Sequence, residues 1–304
     1  MPQVQQVEYF TYFRPDTGGG LDLNDGINFR VLHHDGLGIS EFDHFSTGVP
    51  ELDGEYWHGL RYKVKVITLD IHVKATTFIE LENKKRLLID TFNPSLVNVR
   101  AGRVGILRVQ QANGTSVQFQ CVLHEQATMP TAQHIGQANA RYIFRFRSVK
   151  EPFLYEVEEQ EIVYTGDSSG VGLSFPISLP FRVGSSGIFQ SPVLNNNGHV
   201  ETPVIIDLEG PATSPILENV TLGRRLAFAR AGNTTTLTAG QHLVINTDPF
   251  AESVEIDGVS RWDKLSEAEF WQLAVGANEL SFDIGGTSAA TRVTLTYQRR
   301  YLGA

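Results

Sequence analysis

This 304-residue sequence offers little for disulfide chemistry, because it contains a single cysteine. An intramolecular disulfide is therefore impossible. Cys121 lies in the alternating stretch 117–123, where Val117, Phe119 and Leu123 fall on the same side of the chain. We interpret Cys121 as a small residue of a β-sheet core and not as a catalytic nucleophile.

Long hydrophobic runs are also missing. No stretch approaches the roughly 18 to 20 consecutive apolar residues that a membrane-spanning helix requires. The opening residues MPQVQQVEYF lack the basic start and the apolar run of a signal peptide. We therefore expect neither membrane insertion nor secretion, and we expect synthesis in the cytoplasm.

A basic excess is absent as well, since the formal net charge is −9. Residues 1–150 carry 16 Lys and Arg against 15 Asp and Glu, and residues 151–304 carry 9 against 19, so the two parts are near +1 and −10. Tight nucleic-acid binding relies on clustered basic residues that neutralise phosphates. The charge balance gives no support to a DNA-binding protein.

One match to a catalytic motif is present. Residues 166–170 read GDSSG and satisfy the G-x-S-x-G pattern, in which the serine stands on a strand-to-helix turn. The following residues VGLSFPISLP contain Gly172, Pro176 and Pro180, which prevent that helix. We predict a β-turn here, and a hydrolase built on Ser168 remains only a minor alternative.

Metal-ligand types occur without a complete ligand set. His33, His34, Asp35 and His44 are close in sequence, but adjacent strand residues point to opposite faces and no second cluster follows. The stretch 22–26, DLNDG, is one residue short of a calcium loop and lacks its bidentate glutamate. We predict a turn there, and no catalytic residue, cofactor or metal site in the chain.

One helix is predicted, from about Thr77 to Phe92. Thr77 and Glu80 have the spacing of a capping box, and Pro94 prevents continuation. At 100° per residue one side of this helix is apolar and carries Phe78, Leu81, Leu88, Ile89 and Phe92.

Short alternating runs on both sides of the helix predict an antiparallel sheet, which makes residues 1–150 an α+β domain. Residues 35–59 show no sustained period and are predicted to form a long functional or ring-contacting loop. The predicted strand features are strands over VEYFTYF and INFRVLHH, a strand from Arg61 to Val73 with a bulge near Val66, a two-residue hairpin turn at Asn113-Gly114, and a strand from Arg141 to Arg147.

Residues 151–304 read as a β-sandwich of short strands separated by turns, with the domain boundary at Glu151-Pro152. Asp257-Gly258 predicts a hairpin turn, residues 195–198 a loop, and residues 266–269 a short helical turn. In the last strand, alternation directs Val293, Leu295 and Tyr297 inward. The predicted fold class is thus mostly β.

The order of several segments resembles the distal tail proteins of siphophages, and the resemblance spans most of the chain. The most specific segments are ETPVII at 201–206, INTDP at 245–249 and FWQLAVGANEL from Phe270 to Leu280. Looser similarity covers DGEYW at 53–57 and KEPFLY at 150–155.

The resemblance implies an N-terminal ring-forming domain, a galectin-like β-sandwich and a hexameric ring in the virion, at the tip of a long non-contractile tail. The implied partners are the major tail tube protein, a tail-tip hub protein and receptor-binding proteins, and DNA passes through the ring without specific binding. The implied role is structural and not enzymatic. An unpaired strand such as 141–147 could pair across the ring interfaces.

A carbohydrate-binding module that recognises host surface glycans is the alternative function. Sandwiches of this kind can present aromatic rings to sugars, and Trp262 or Trp271 could do so. Both tryptophans are nevertheless expected in the core. Saturable binding of host wall polysaccharide would favour this alternative.

Overall fold

The structure is a computed structural model that describes residues 8–48, 53–93, 103–125, 138–165, 187–190, 192–230 and 233–304. The chain divides into two units. Unit 1 comprises residues 1–157 and 301–304, and unit 2 comprises residues 158–300.

In its described residues, unit 1 contains one antiparallel sheet, a separate two-stranded ribbon and one helix. The order of strands in the sheet is β2-β1-β7-β8-β9-β6-β3, β10 adds to β8, and β4 pairs only with β5. The elements are β1 Tyr9–Phe13, β2 Gly20–Asp22, β3 Phe29–Asp35, β4 Phe42–Gly48, β5 Glu55–Tyr62, β6 Val66–Lys74, α1 Phe78–Phe92, β7 Gly105–Gln110, β8 Ser116–Leu123, β9 Asn139–Ser148 and β10 Leu154–Glu156.

The core of unit 1 lies between one face of this sheet and α1. Period-2 alternation directs one side of each central strand inward, as β6 shows with Ile67, Leu69, Ile71 and Val73 all fully buried. Phe92 at the end of α1 packs against aromatic rings of the sheet, with ring centroids 4.9 Å from Tyr12, 4.6 Å from Phe144 and 5.1 Å from Phe146. The predicted α+β arrangement is confirmed.

The predicted helix is confirmed at both ends. Thr77 is the N-cap, and its hydroxyl accepts a hydrogen bond from the Glu80 backbone amide at 3.2 Å. The Glu80 carboxylate accepts from the backbone amide of Thr76, at 2.8 Å, instead of from Thr77. The predicted apolar side was partly wrong, because Leu81, Leu88 and Phe92 are buried whereas Phe78 and Ile89 are exposed. Pro94 lies outside the described residues.

Several predictions for unit 1 were wrong in detail. The segment 35–59 is not a loop throughout, because it contains β4 and the start of β5. The predicted strand 61–73 has no bulge at Val66 but is interrupted at residues 63–65, between β5 and β6. The Asn113-Gly114 hairpin is confirmed, but its turn is longer than two residues, since the Gln111 amide bonds the Thr115 carbonyl.

The prediction that strand 141–147 is unpaired was also wrong. It belongs to β9, which pairs with β6 along its whole length and with β8 at its C-terminal end. On the β6 side β9 therefore has no free edge, whereas on the β8 side the described pairing covers only residues 146–148. The main strand order of this sheet ends at β2 and at β3, and β10 branches from β8.

Unit 2 is built of two antiparallel sheets with orders β11-β25-β14-β20-β21-β22 and β12-β24-β15-β16-β23, to which β13 and β19 add; β17 and β18 form a separate pair. The elements are β11 Gln160–Thr165, β12 Gly187–Gln190, β13 Val193–Asn196, β14 Ile205–Glu209, β15 Ala212–Asn219, β16 Arg224–Ala227, β17 Ala229–Arg230, β18 Asn233–Thr234, β19 Thr236–Leu237, β20 His242–Asn246, β21 Ser253–Ile256, β22 Val259–Ser260, a 3₁₀ turn Trp262–Lys264, β23 Glu267–Ala268, β24 Gly276–Gly285, β25 Arg292–Tyr297 and β26 Arg300–Tyr301, where the chain returns to unit 1.

The two sheets of unit 2 share one core, which makes this unit a β-sandwich. Leu208, Leu243 and Leu295 enter it from one sheet, and Leu217 and Phe282 enter it from the other. The predicted mostly β fold class is confirmed.

Local predictions for unit 2 had mixed outcomes. Asp257-Gly258 does form a two-residue turn, with positive φ at both residues between the paired Ile256 and Val259. The predicted inward positions of β25 are confirmed. The predicted helical turn at 266–269 was wrong, because β23 occupies it, and the predicted loop at 195–198 begins inside β13.

Candidate assembly site

The clearest candidate for a contact site is the ribbon of β4 and β5, which we call the arm. The arm connects the paired strands β3 and β6: the chain runs from β3 into β4, turns, and returns through β5 into β6. Its register runs from Phe42 opposite Tyr62 to Gly48 opposite Glu55. Seven residues at about 3.3 Å each give the arm a length of roughly 23 Å.

The arm has large apolar side chains that nothing in the described residues covers. Phe45 is 50% exposed, Tyr56 67% and Trp57 63%. Phe42 and Leu60 are exposed as well. A single two-stranded ribbon is marginally stable in water. A surface of this kind is typical of a protein–protein contact.

A groove of about 770 Å³ lies at the base of the arm. Charged side chains of both signs line it, including Asp43, Arg61 and Lys63. The Lys63 ammonium lies 3.1 Å from the Asp43 carboxylate, and this hydrogen bond raises the pKa of Lys63. The charged part of the groove lining is therefore partly self-neutralised.

Lys65 lines the groove and connects segments of unit 1 through hydrogen bonds. Its side chain is buried and donates hydrogen bonds to the carbonyls of Gly38 and of Leu302, the latter at 3.0 Å. Burial lowers the pKa of Lys65 to about 8. The Ala304 amide also bonds the Leu37 carbonyl at 2.9 Å. Residues 301–304 are thus held on unit 1.

The residues considered for catalysis do not form a reactive site in the described part of the chain. Cys121 is fully buried, and burial raises the pKa of its thiol, which disfavours the nucleophilic thiolate. Ser168 and the rest of GDSSG lie outside the described residues.

The residues considered for metal binding are engaged elsewhere. Within the described ranges no group of three or more His, Cys, Asp or Glu side chains could hold an ion. His34 contacts Glu8 at 3.1 Å, whereas His44 lies on the arm against Phe42. The stretch 22–26 is a turn, because one Asp25 oxygen accepts the amides of residues 27, 28 and 29.

The two tryptophans proposed to meet sugars differ in burial. Trp271 is fully buried, as expected for a core residue, and cannot stack on a sugar. Trp262 is 45% exposed and packs beside Phe270, with ring centroids 5.5 Å apart, so its expected core position was wrong.

The described part of the chain thus consists of two antiparallel β units and an arm with exposed apolar side chains. Residues 197–301 match the family model of the siphovirus-type tail component, C-terminal domain. The match covers about a third of the chain, and over these residues it confirms the resemblance inferred from the sequence.

Solved structures of phage proteins share the whole fold. The crystal structure of the SPP1 Dit protein, described as a paradigm of the hub adsorption apparatus in phages infecting Gram-positive bacteria, superposes with a TM-score of 0.63 at 13% identity over 97% of this chain and 99% of that one. A chain of the phage P2 baseplate in its activated conformation with Ca gives 0.50 at 12% identity over 96% and 98%. At these identities the likeness concerns the fold alone.

Two further comparisons are negative. None of the curated proteins matches this chain by sequence. Among the described residues, no helix combines the length and the apolar character needed to cross a membrane.

Proposed function

We propose that this protein is a hub component at the distal end of a siphophage tail, where six copies form a ring between the tail tube and the tip. The family of residues 197–301 and the hub role described for SPP1 Dit support this role. In this proposal unit 1 forms the ring, unit 2 is a galectin-like β-sandwich, and DNA crosses the central channel.

The exposed arm is the main observation that supports ring formation. A ring closes when each copy presents one surface to the next copy and a different surface to the previous one, related by a rotation. An arm about 23 Å long, with Phe45, Tyr56 and Trp57 uncovered, can supply one of these two surfaces. Burial of these side chains against a neighbouring copy would stabilise the ring by about 25 cal/mol for each Å² of apolar surface.

The partners follow from this position in the tail. The tail tube protein would contact one side of the ring and a tip protein the other, and receptor-binding proteins would attach outside. The role is structural, with no substrate. The carbohydrate alternative has lost one of its two candidate residues, because Trp271 is in the core.

Native mass spectrometry of the full chain tests the ring. We expect closed hexamers, or dodecamers made of two rings, whose population rises with protein concentration. A protein that stays strictly monomeric at the highest soluble concentration contradicts the ring.

A further inference from the structure

The sheet of unit 1 has a second face, opposite the core, and on β3, β6 and β9 this face is rich in basic side chains. Inward residues of β6 and β9 are buried, so the alternate residues lie on the open face. The open face carries two histidines, His33 and His72, and five fully basic residues, Arg30, Lys74, Arg141, Arg145 and Arg147.

Three carboxylates lie among these cations. Asp70 is buried; its two oxygens share a bifurcated hydrogen bond from the Arg141 Nε, at 2.8 and 2.9 Å, and one of them also accepts from the Arg141 Nη2. Glu125 accepts a hydrogen bond from Arg145 at 2.6 Å, and Asp35 stands at the end of β3. Both paired arginines remain about half exposed, which leaves part of each guanidinium accessible.

The described residues supply no ion-pair partner for the remaining cations of the open face. Arg30, Lys74 and Arg147 form no ion pair with any residue in the described ranges. The register places His72 between Arg30 on β3 and Arg141 on β9. Burial, and then the charges of Lys74 and Arg30, lower the pKa of His72. A lowered pKa favours the neutral form of His72, so the positive charge of this row is carried by Arg30 and Arg141, which an external anion could contact.

We propose that this open face contacts the phosphate backbone of double-stranded DNA, weakly and without sequence preference. The inference rests on the proposed function, in which DNA crosses the ring. Arginine binds phosphate through its planar fork of donors, even when one side of the guanidinium is already paired. A sheet face of this kind meets phosphates and does not enter a groove to reach base edges.

Weak contact is compatible with passage. Phosphate contacts made by Lys and Arg release counterions, carry no sequence information and allow a protein to slide along DNA. The carboxylates of Asp35, Asp70 and Glu125 limit the strength of the contact. The face would therefore hold the duplex in the channel without trapping it.

Fluorescence anisotropy with a short labelled DNA duplex tests the contact on the full chain. At roughly 50 mM salt we expect micromolar binding, which weakens more than tenfold at about 200 mM. The R30Q/R147Q double variant removes two unpaired cations. Its affinity should fall at least tenfold, and its salt slope should fall by about two.

The matched control is R225Q/R261Q, which removes the same charge from exposed arginines of unit 2 that pair with Glu267 and Asp263. This control should bind DNA like the wild-type chain. Equal affinity of R30Q/R147Q and the wild type overturns the proposal, and so does an equal loss in the control. Binding of polyglutamate without binding of DNA also overturns it, in favour of an acidic protein partner.

Native mass spectrometry of the same samples separates this inference from the ring. Rings that do not bind DNA refute the DNA contact and leave the ring intact. The alternative result is that the wild-type chain binds DNA without ever assembling, and that R30Q/R147Q loses that binding. This result supports the DNA contact and refutes the ring.

Discussion

At the scale of single residues, His242 and Asp207 form a pH-dependent contact on unit 2. The His242 Nδ1 lies 3.0 Å from an Asp207 carboxylate oxygen, and this hydrogen bond raises the pKa of His242. A raised pKa in the folded state means that the stabilisation is fully present below the ordinary histidine pKa. It is lost as the pH rises through the pKa of the folded state.

We therefore expect D207N to destabilise the protein more at pH 5.5 than at pH 9. Both side chains are more than a third exposed, so solvent screening keeps the difference below about 1 kcal/mol. Urea unfolding at the two pH values measures it. The control D53N changes an exposed carboxylate of unit 1 and should show no such pH dependence, whereas an equal cost of D207N at both pH values argues against the contact.

Cys121 gives a second prediction at this scale. Because its thiol is fully buried and its pKa is raised, maleimide should not label the native protein at pH 8 and should label it completely in urea. Mass spectrometry reads the added mass. S260C places a thiol on exposed β22 and should be labelled once in the native state. Native labelling of the wild type would show that this part of the core opens.

The sequence predicted buried residues well where alternation is clear. Cys121 in β8 and Val293 in β25 are buried as their positions predicted. Trp262 was missed, because it stands in a 3₁₀ turn that alternation does not describe. Residue type alone favoured the core for it, and exposure depends on tertiary contacts that one sequence does not contain.

At the scale of elements, α1 was predictable because its ends are fixed by local chemistry. Thr77 caps one end, and the chain leaves the helix at Asn93 with an extended backbone. Its apolar side was predicted too wide, since Phe78 and Ile89 lie about 60° or more from the centre of the buried stripe at 100° per residue.

The arm could not be predicted in the same way. Strand prediction relies on one buried and one solvated face, which produces alternation. Both faces of the arm are exposed, and apolar residues such as Phe45 and Trp57 follow no single period. Its sequence therefore looked like a loop, although the DGEYW segment was part of the family resemblance.

The arm provides the prediction at this scale. F45S/W57S removes two exposed aromatic side chains, so the fold of the monomer should survive, with a change in unfolding free energy within about 1 kcal/mol. Assembly should be lost, as measured by native mass spectrometry. F250S, which changes an exposed aromatic residue of unit 2, should assemble like the wild type. Normal rings from F45S/W57S would remove the arm from the interface.

At the scale of the whole molecule, bulk charge was a poor guide to surface charge. The near-neutral balance of residues 1–150 is correct, but it does not show that Arg30, Arg141 and Arg147 share one face of a sheet. Strand order brings β3, β6 and β9 together, and strand order depends on long-range pairing. A sequence count averages this face with the acids found elsewhere in unit 1.

The end of the chain shows the same dependence on tertiary structure. The assignment of residues 151–304 to one functional domain stays a prediction. In the structure, residues 301–304 group with unit 1. The Lys65 side chain and the Leu37 carbonyl hold them there. No local pattern in these four residues indicates those distant partners.

Antibody labelling of intact phage particles in the electron microscope tests the central claim most directly. An antibody raised against the full chain should bind at the distal end of the tail, where we propose that this protein forms a ring between tube and tip. The capsid and the length of the tube should stay unlabelled. Label along the whole tube, or particles whose tips lack this polypeptide, would contradict the account.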